Sequence, residues 1–325
     1  MGGDLGSRPC VSAAAEFLRE CPSVELIVVG CGRSVEPLLH EYAHTAPDIA
    51  SRMHFHHAES VIGMNDDPAH ALRHGKESSM WQALLLLANG KADACVSAGN
   101  TGALMAISRY LIKTVAEIQR PAICKAIPTP TGTSVLLDLG ANLNCTSNHL
   151  FQFAHMGRAL AETHGVSNPS IALLNIGTEV SKGGDVIKHA AALLTQDKSL
   201  NYVGFIEGDE LYSGRVNVIV CDGFVGNVAL KVSEGLVRQL IKSLRDFFAS
   251  RWWGRLTFPL TGVLLRRWSQ KRNPSLYNGA AFLGLRKPVI KSHGNADSFG
   301  FLNALREAYE QACLNVPARI SQSLN

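Results

Sequence analysis

The sequence predicts an α/β fold in which a mostly parallel sheet is flanked by helices. Three observations point there. Short β-rich apolar runs alternate with helical patterns along the chain. The junctions after those runs are rich in Gly, Asn and Ser, the composition of strand-to-helix loops. Hydrophobic residues make up 46% of the 325 and charged residues 18%, enough apolar material for a large buried core. Strands alternating with helices need crossover connections, and crossovers build parallel sheets.

Taken in order, Glu25–Val29 is the first strand-like run, and it enters the turn Gly30-Cys31-Gly32 and a helix. His54, His56 and His57 read as a strand with local polar positions. Arg73-His-Gly-Lys76-Glu-Ser78-Ser79 precedes a helix over Met80–Ala88. Asp93–Val96 runs into Ser97-Ala-Gly99-Asn100-Thr101-Gly102 and a helix over Ala103–Thr114. Ser134–Leu137 leads to Asp138-Leu-Gly-Ala-Asn142. Ile171–Leu174 leads to Asn175-Ile-Gly177 and a helix near Asp185–Leu194. Val216–Val220 leads to Cys221-Asp222-Gly-Phe-Val-Gly-Asn227 and a helix from Val228.

In parallel sheets the loops at the carboxyl ends of the strands line the ligand crevice, and four of these loops carry Asn, Asp or Lys beside Gly. Ser97–Gly102 lies where exposed N–H groups and the helix dipole favour an anion, with Asn100 and Thr101 as further donors. It reads equally as a tight turn with no ligand. Arg73, Lys76, Ser78 and Ser79 can neutralise a dianion, or simply cap and solvate a helix entry. Lys182, in the Gly-rich loop after Asn175, could hold phosphate or polarise a carbonyl, and Asn227 could donate to an oxyanion.

Net charge is only +4, too mild to indicate nucleic acid. The segment from Glu234 to Arg272 is an exception, with nine Lys/Arg against two acids. In it Leu236, Val237, Leu240, Ile241, Leu244, Phe247 and Phe248 form one helical stripe, followed by Trp252 and Trp253 among arginines. That profile fits a membrane-surface helix, a docking face for an acidic protein partner, or a dimer interface. The eight cysteines show no CxxC spacing, so free, mostly buried thiols in a reducing cytoplasm are expected. No apolar run approaches the roughly 20 residues of a membrane span. His40-Glu41-Tyr-Ala-His44 matches H-E-x-x-H, but Pro47 breaks its longer extension, and no metal site is expected. Gly30-Cys-Gly32 lacks the third glycine of a dinucleotide fingerprint, and no cofactor is expected.

The ordered set of motifs resembles the bacterial phosphate acyltransferase (PlsX) family over nearly the whole chain. It runs from Met1-Gly-Gly-Asp4 through Lys76–Met80, Ala92–Ala106, Leu137–Asn142, Leu173–Gly177 and Cys221–Lys231 to Tyr277–Ala281 and Val289-Ile-Lys-Ser-His293-Gly294. The resemblance implies a fold like that of isocitrate/isopropylmalate dehydrogenases and phosphotransacetylases, formed as one domain over 1–325 with the segment 234–272 inserted in it. It implies transfer of a long-chain acyl group from acyl carrier protein to inorganic phosphate, with the acyl phosphate consumed by a glycerol-3-phosphate acyltransferase in phospholipid synthesis. It also implies a homodimer, in the cytoplasm and peripheral to the inner face of the membrane. Lys182 and Asn227 match the family's catalytic candidates. Asp138, Asn142, Asn175, Asp222 and His293 lie in its matched loops. The family opens with a short strand before Met-Gly-Gly-Asp, and here Met1 is that methionine. Rival readings are a short-chain acyl-CoA phosphotransacetylase-like enzyme, a non-catalytic membrane-associated lipid-synthesis scaffold and, more distantly, a zinc hydrolase built on His40 and His44. Cys221 could in principle carry the acyl group, but its apolar neighbours predict a buried thiol.

Overall fold

The computed structural model describes residues 2–179, 181–249 and 274–324. The first lobe is α1 (Arg8–Glu20), β1 (Leu26–Gly30), α2 (Gly32–Thr45), α3 (Pro47–Ala50) and β2 (Met53–His57). Then come α4 (Pro68–His74), α5 (Ser79–Ala88), β3 (Cys95–Ser97), α6 (Thr101–Leu111), β4 (Ala122–Thr129), β5 (Gly132–Leu137) and α7 (Ser147–Thr163). The chain continues through β6 (Ser170–Leu174), α8 (Asp185–Gln196), β7 (Asn201–Ile206), β8 (Val218–Val220) and α9 (Gly223–Ala249). It closes with β9 (Ala280–Leu283), β10 (Val289–Lys291), α10 (Ser298–Cys313) and α11 (Val316–Leu324).

Eight strands form one sheet in the order β3-β10-β9-β4-β5-β8-β6-β7, and β1 and β2 form a separate parallel pair. Pairing is parallel at both ends, β3 with β10 and β5-β8-β6-β7, and antiparallel in between. The α/β reading with a mostly parallel sheet therefore holds, with an antiparallel seam that reverses β3 and β10 relative to β5, β8 and β6. The seam contains β4, β9 and β10, none of which the sequence analysis marked as a strand. Lys125 and Pro128 interrupt the apolar run of β4, and β9 and β10 are only four and three residues long.

Apolar side chains alternate between two cores. Val135, Leu137, Ile171, Leu173, Val218 and Val220 pack under α7, α8, α10 and α11. Leu136, Ala172, Leu174 and Ile219 face α5 and α6 on the opposite side. Burial on both faces is why β5, β6 and β8 read as unbroken apolar runs. Gly157 lets α7 sit close on the sheet, since a Cβ there would lie 2.4 Å from a Val218 methyl.

The lobe carrying β1 meets the main sheet through helices. Between the edges of β1 and β3 lies a cavity of about 1040 Å³, bounded by Phe17 of α1, Met80 of α5, Phe301 of α10 and, at one end, Gly2 and Gly99. Gly2–Asp4 run beside the β3 and β10 loops, and Asp4 N donates to Gly294 O at 2.8 Å. No described helix is long and apolar enough to cross a membrane.

Gly157→Leu should overpack the α7–β8 contact and lower stability by about 2–3 kcal/mol, read as a reduced midpoint in urea at unchanged m-value.

Candidate active site

The site is built from two groups of loops joined by one helix. The first group sits at the carboxyl ends of β5, β8 and β6. Asp138, fully buried, accepts four hydrogen bonds: Ile123 N at 2.9 Å and Ala141 N at 3.1 Å on Oδ1, Asn142 N at 2.7 Å and Asn142 Nδ2 at 2.9 Å on Oδ2. Burial raises its pKa above the ordinary carboxylate value, against the pull of those donors. Asn142 Nδ2 also donates to Pro121 O at 2.8 Å, and Asn142 O accepts from Gly223 N at 2.8 Å. Asp138 and Asn142 thus work as a knot that seats the start of α9. Asp222 caps that helix, with Oδ1 accepting from Val225 N at 2.9 Å.

Because α9 begins at Gly223, the stretch read as a loop up to Asn227 is its first turn and more. Asn227 is solvent-exposed and lies against Gly140, whose φ of +122° carries the loop past it. Lys182 sits in the neighbouring loop after β6. There Asn175 Nδ2 donates to Gly177 O at 3.0 Å and Lys182 O at 3.2 Å, closing the loop. The Lys182 ammonium folds back over Gly177, where a Cβ would stand 2.3 Å from its Cδ, and pairs with Glu179 at 3.0 Å. That hydrogen bond holds the Glu179 carboxyl below its usual value.

The second group sits at the carboxyl ends of β3 and β10, where α6 begins. Asn100 Nδ2 donates to the carbonyls of Gly63, Met64 and Asp66, and its Oδ1 accepts Ala103 N. Its side chain is a clamp and a helix cap, not the free donor that the sequence suggested. Ser97 Oγ accepts from Gly99 N at 3.2 Å. Thr101 and Gly102 open α6, and Gly102 packs against Pro68 of α4. Ser78 is buried, donating to Gly75 O and accepting from Trp81 N as the cap of α5, and Ser79 is buried beside it. Arg73 and Lys76 are exposed on and just after α4, with Arg73 Nε donating to Ala69 O at 3.1 Å. The two serines therefore serve the fold, while the two cations stay on the surface.

His293 brings unexpected neighbours. Its N–H donates to Asn278 Oδ1 at 3.0 Å, and Asn278 Nδ2 donates to Ser292 Oγ and Gly300 O, both at 2.8 Å. Close by are Lys291, Lys231 and Glu234. Glu234 accepts Lys231 Nζ at 3.0 Å and lies 4.0 Å from Lys125 Nζ. Burial would raise the Glu234 carboxyl, yet the Lys231 hydrogen bond and the lysine charges together hold it low. Partial burial, then Lys231, lowers His293. Asn227, Lys231 and Glu234 stand at i, i+4 and i+7 on α9, so one helical stripe runs from the first group to the second. Sequence reasoning passed over Lys231, Lys291, Glu234, Lys125 and Asn278. Lys231, Asn278 and Lys291 do fall inside quoted motifs, which was the available signal.

Cys221 is 1% exposed, and burial drives its thiol pKa well above the ordinary value, so it is not an available nucleophile. The described cysteines are all free; Cys95, Cys124 and Cys221 are buried, whereas Cys313 is exposed. His40 and His44 are exposed on α2, and Glu41 between them is forked to Arg8 at 3.1 and 3.2 Å. Among the described residues, metal-ligand atoms gather at His164, Glu307 and Glu310, within 4.8 Å of one another and apart from both loop groups. Beyond Glu234, α9 exposes Leu236, Leu240, Leu244 and Phe247 along one face, with Leu240 59% exposed. Trp252, Trp253 and the Phe248 side chain lie outside the described residues.

A family model described as fatty acid synthesis protein matches residues 1–319. A phosphate acyltransferase of Saccharophagus degradans is 51% identical over 324 residues, covering 100% of this chain and 94% of its own. One of Teredinibacter turnerae is 48% identical, covering 100% and 97%. A solved phosphotransacetylase of Streptococcus pyogenes superposes with a TM-score of 0.61 at 18% identity, over 94% of this chain and 91% of that one, and shares the fold.

A methyl group at Gly226 would lie 1.9 Å from Asp138 O, whereas one at Gly235 would meet nothing within 4 Å. Gly226→Ala is expected to lower unfolding free energy by about 3 kcal/mol. Gly235→Ala should instead raise it by about 0.5–1 kcal/mol through helix propensity. Parallel urea titrations compare the two.

Proposed function

The chain belongs to the fatty acid synthesis protein family, whose members include phosphate acyltransferases, and is an acyltransferase; from that premise we propose that it moves a long-chain acyl group from acyl carrier protein onto inorganic phosphate. The observation that carries the direct transfer is the burial of Cys221. The thiol beside the Asp222–Asn227 turn is closed off from an acyl group, which supports direct attack of phosphate on the thioester carbon. A C–O bond to phosphate forms, the tetrahedral oxyanion collapses, and the C–S bond breaks to release a thiolate that takes up a proton.

Asn227, exposed beside Gly140, suits donation to that oxyanion, and Lys182 joins it when its ammonium leaves Glu179. Held donors at a developing oxyanion typically contribute about 3–4 kcal/mol each. The phosphate lies at the opening of α6, where the main-chain N–H groups of Thr101 and Gly102 face an anion, with Arg73 and Lys76 drawing it in. Ser97, Gly99 and Asn100 shape that opening, and Ser78 and Ser79 brace it.

The apolar face of α9, flanked by Arg238 and Lys242, supports peripheral attachment to an anionic membrane surface near the acyl donor. Such a surface suits a product that is handed to a glycerol-3-phosphate acyltransferase. A homodimer over the same stripe is the competing use of it.

Palmitoyl-acyl carrier protein should release its thiol only with phosphate present and yield hydroxylamine-trappable acyl phosphate. Faster turnover with short acyl-CoA would overturn the carrier-protein assignment. Lys182→Ala and Asn227→Ala should each lower kcat by about 10²–10³-fold. Leu240→Glu with Leu244→Glu should abolish flotation with anionic liposomes while leaving thiol release in solution intact.

A further inference from the structure

The corner between the ends of β3 and β10 contains a lysine that the roles above leave unused. Lys291 is 8% exposed, and its Nζ lies against main-chain oxygens, Ala98 O at 3.4 Å and Ser292 O. Among the described residues no carboxylate comes within ion-pair distance of it; Asp4, tied to Gly294, attracts it from farther away. Lys231 faces the same corner from α9 and acts on both Lys291 and His293. Lys125 shares Glu234 with Lys231. Three lysines thus meet two carboxylates, Asp4 and Glu234. A buried ammonium resting on carbonyls alone is half of an ion pair, and burial of that kind is costly until an opposite charge arrives.

We propose that Lys291, with Lys231 opposite it, holds the phosphate that accepts the acyl group, in the corner bounded by Ala98, Asp4 and His293. This rests on reading the chain as a phosphate acyltransferase and supplies the cations that the opening of α6 lacks. Ala98 lies three residues before Thr101, so the corner and the first turn of α6 are contiguous. Asp4 gives selectivity. A hydrogen phosphate can donate its O–H to a carboxylate, whereas sulfate carries no proton to donate and is repelled.

Burial, with Lys231 adding to it and Asp4 opposing, brings the Lys291 pKa down to about 8. The ammonium is charged below that pH and is lost as pH rises through it. The other charged groups facing it are Asp4, Lys231 and His293, with Lys125 and Glu234 behind Lys231. Phosphate affinity of the free enzyme should therefore fall above pH about 8. Arginine stays protonated there and should remove that fall.

The test is calorimetric titration of the full chain with inorganic phosphate alone, and with sulfate, below and above pH about 8. Lys291→Met should weaken phosphate binding about tenfold to a hundredfold, the loss expected for a hydrogen bond to a charged group. Lys291→Arg should keep part of the affinity and lose the alkaline fall, and Asp4→Asn should narrow the gap between phosphate and sulfate. Circular dichroism checks folding. If Lys291→Met does not fold, Lys231→Met must show the same loss. Either folded variant binding phosphate as tightly as wild type overturns the site. Wild-type binding without acyl transfer from any thioester would instead overturn the acyltransfer reading and leave the site standing.

Discussion

The carboxylate of Asp138 is the constraint from which the rest of the crevice takes its position. Four N–H groups converge on it, from the start of β4, the loop after β5 and the Asn142 side chain. A buried carboxylate is tolerated only when its oxygens are satisfied in this way. The same knot presents Asn142 O to Gly223 N and leaves Asp138 O in contact with Gly226. The entry angle of α9 follows from those two contacts. Everything that α9 carries inherits its place from a side chain at the end of another strand.

That helix distributes chemistry along its length. Asn227, one turn in, is an uncharged amide suited to a transient oxyanion. Lys231 and Glu234, farther along the same stripe, belong to a charged network that reaches β4 and β10. The separation has a physical logic in the proposed reaction. An oxyanion that exists only in the transition state is best met by a preorganised neutral donor. A dianion that must be recruited from solution is best met by cations. Farther out, α9 presents exposed apolar side chains at Leu236, Leu240 and Leu244.

Some of this was written plainly in the sequence. The strands β5, β6 and β8 were legible because both of their faces are buried, and the loops after them were legible because glycine and asparagine cluster there. The start of α9 was misplaced because Gly223 and Gly226 read as loop residues, although each is glycine to admit the backbone of Asn142 or Asp138. β4 was hidden by Lys125, a lysine placed mid-strand to face Glu234. Asn100 and Ser78 have the residue types of ligands but satisfy caps and carbonyls that only the tertiary fold brings near. Lys291 stood only inside a matched motif, with neither a strand nor a role assigned to it. Its burial depends on Ala98, 193 positions away, and no local pattern encodes such a contact.

The lobe holding β1 and β2 has a mechanical consequence for the chemistry. No ladder joins β1 to β3 among the described residues, so the lobe is secured by side-chain packing around a cavity, by the ion pair of Glu20 with Arg306 and by a single parallel bridge between Ser60 and Ser78 rather than by a continuous ladder. Apolar contacts are non-directional and resist sliding far less sharply than a ladder resists shear. Asp4 is on the segment that leads into this lobe, whereas Lys291 is fixed in the main sheet. Asp4 N, however, is bound to Gly294 O, so the carboxylate and the ammonium are moored to the same loop of the main sheet. A displacement of the lobe is taken up in the few residues between Asp4 and α1 before it can alter the gap between them.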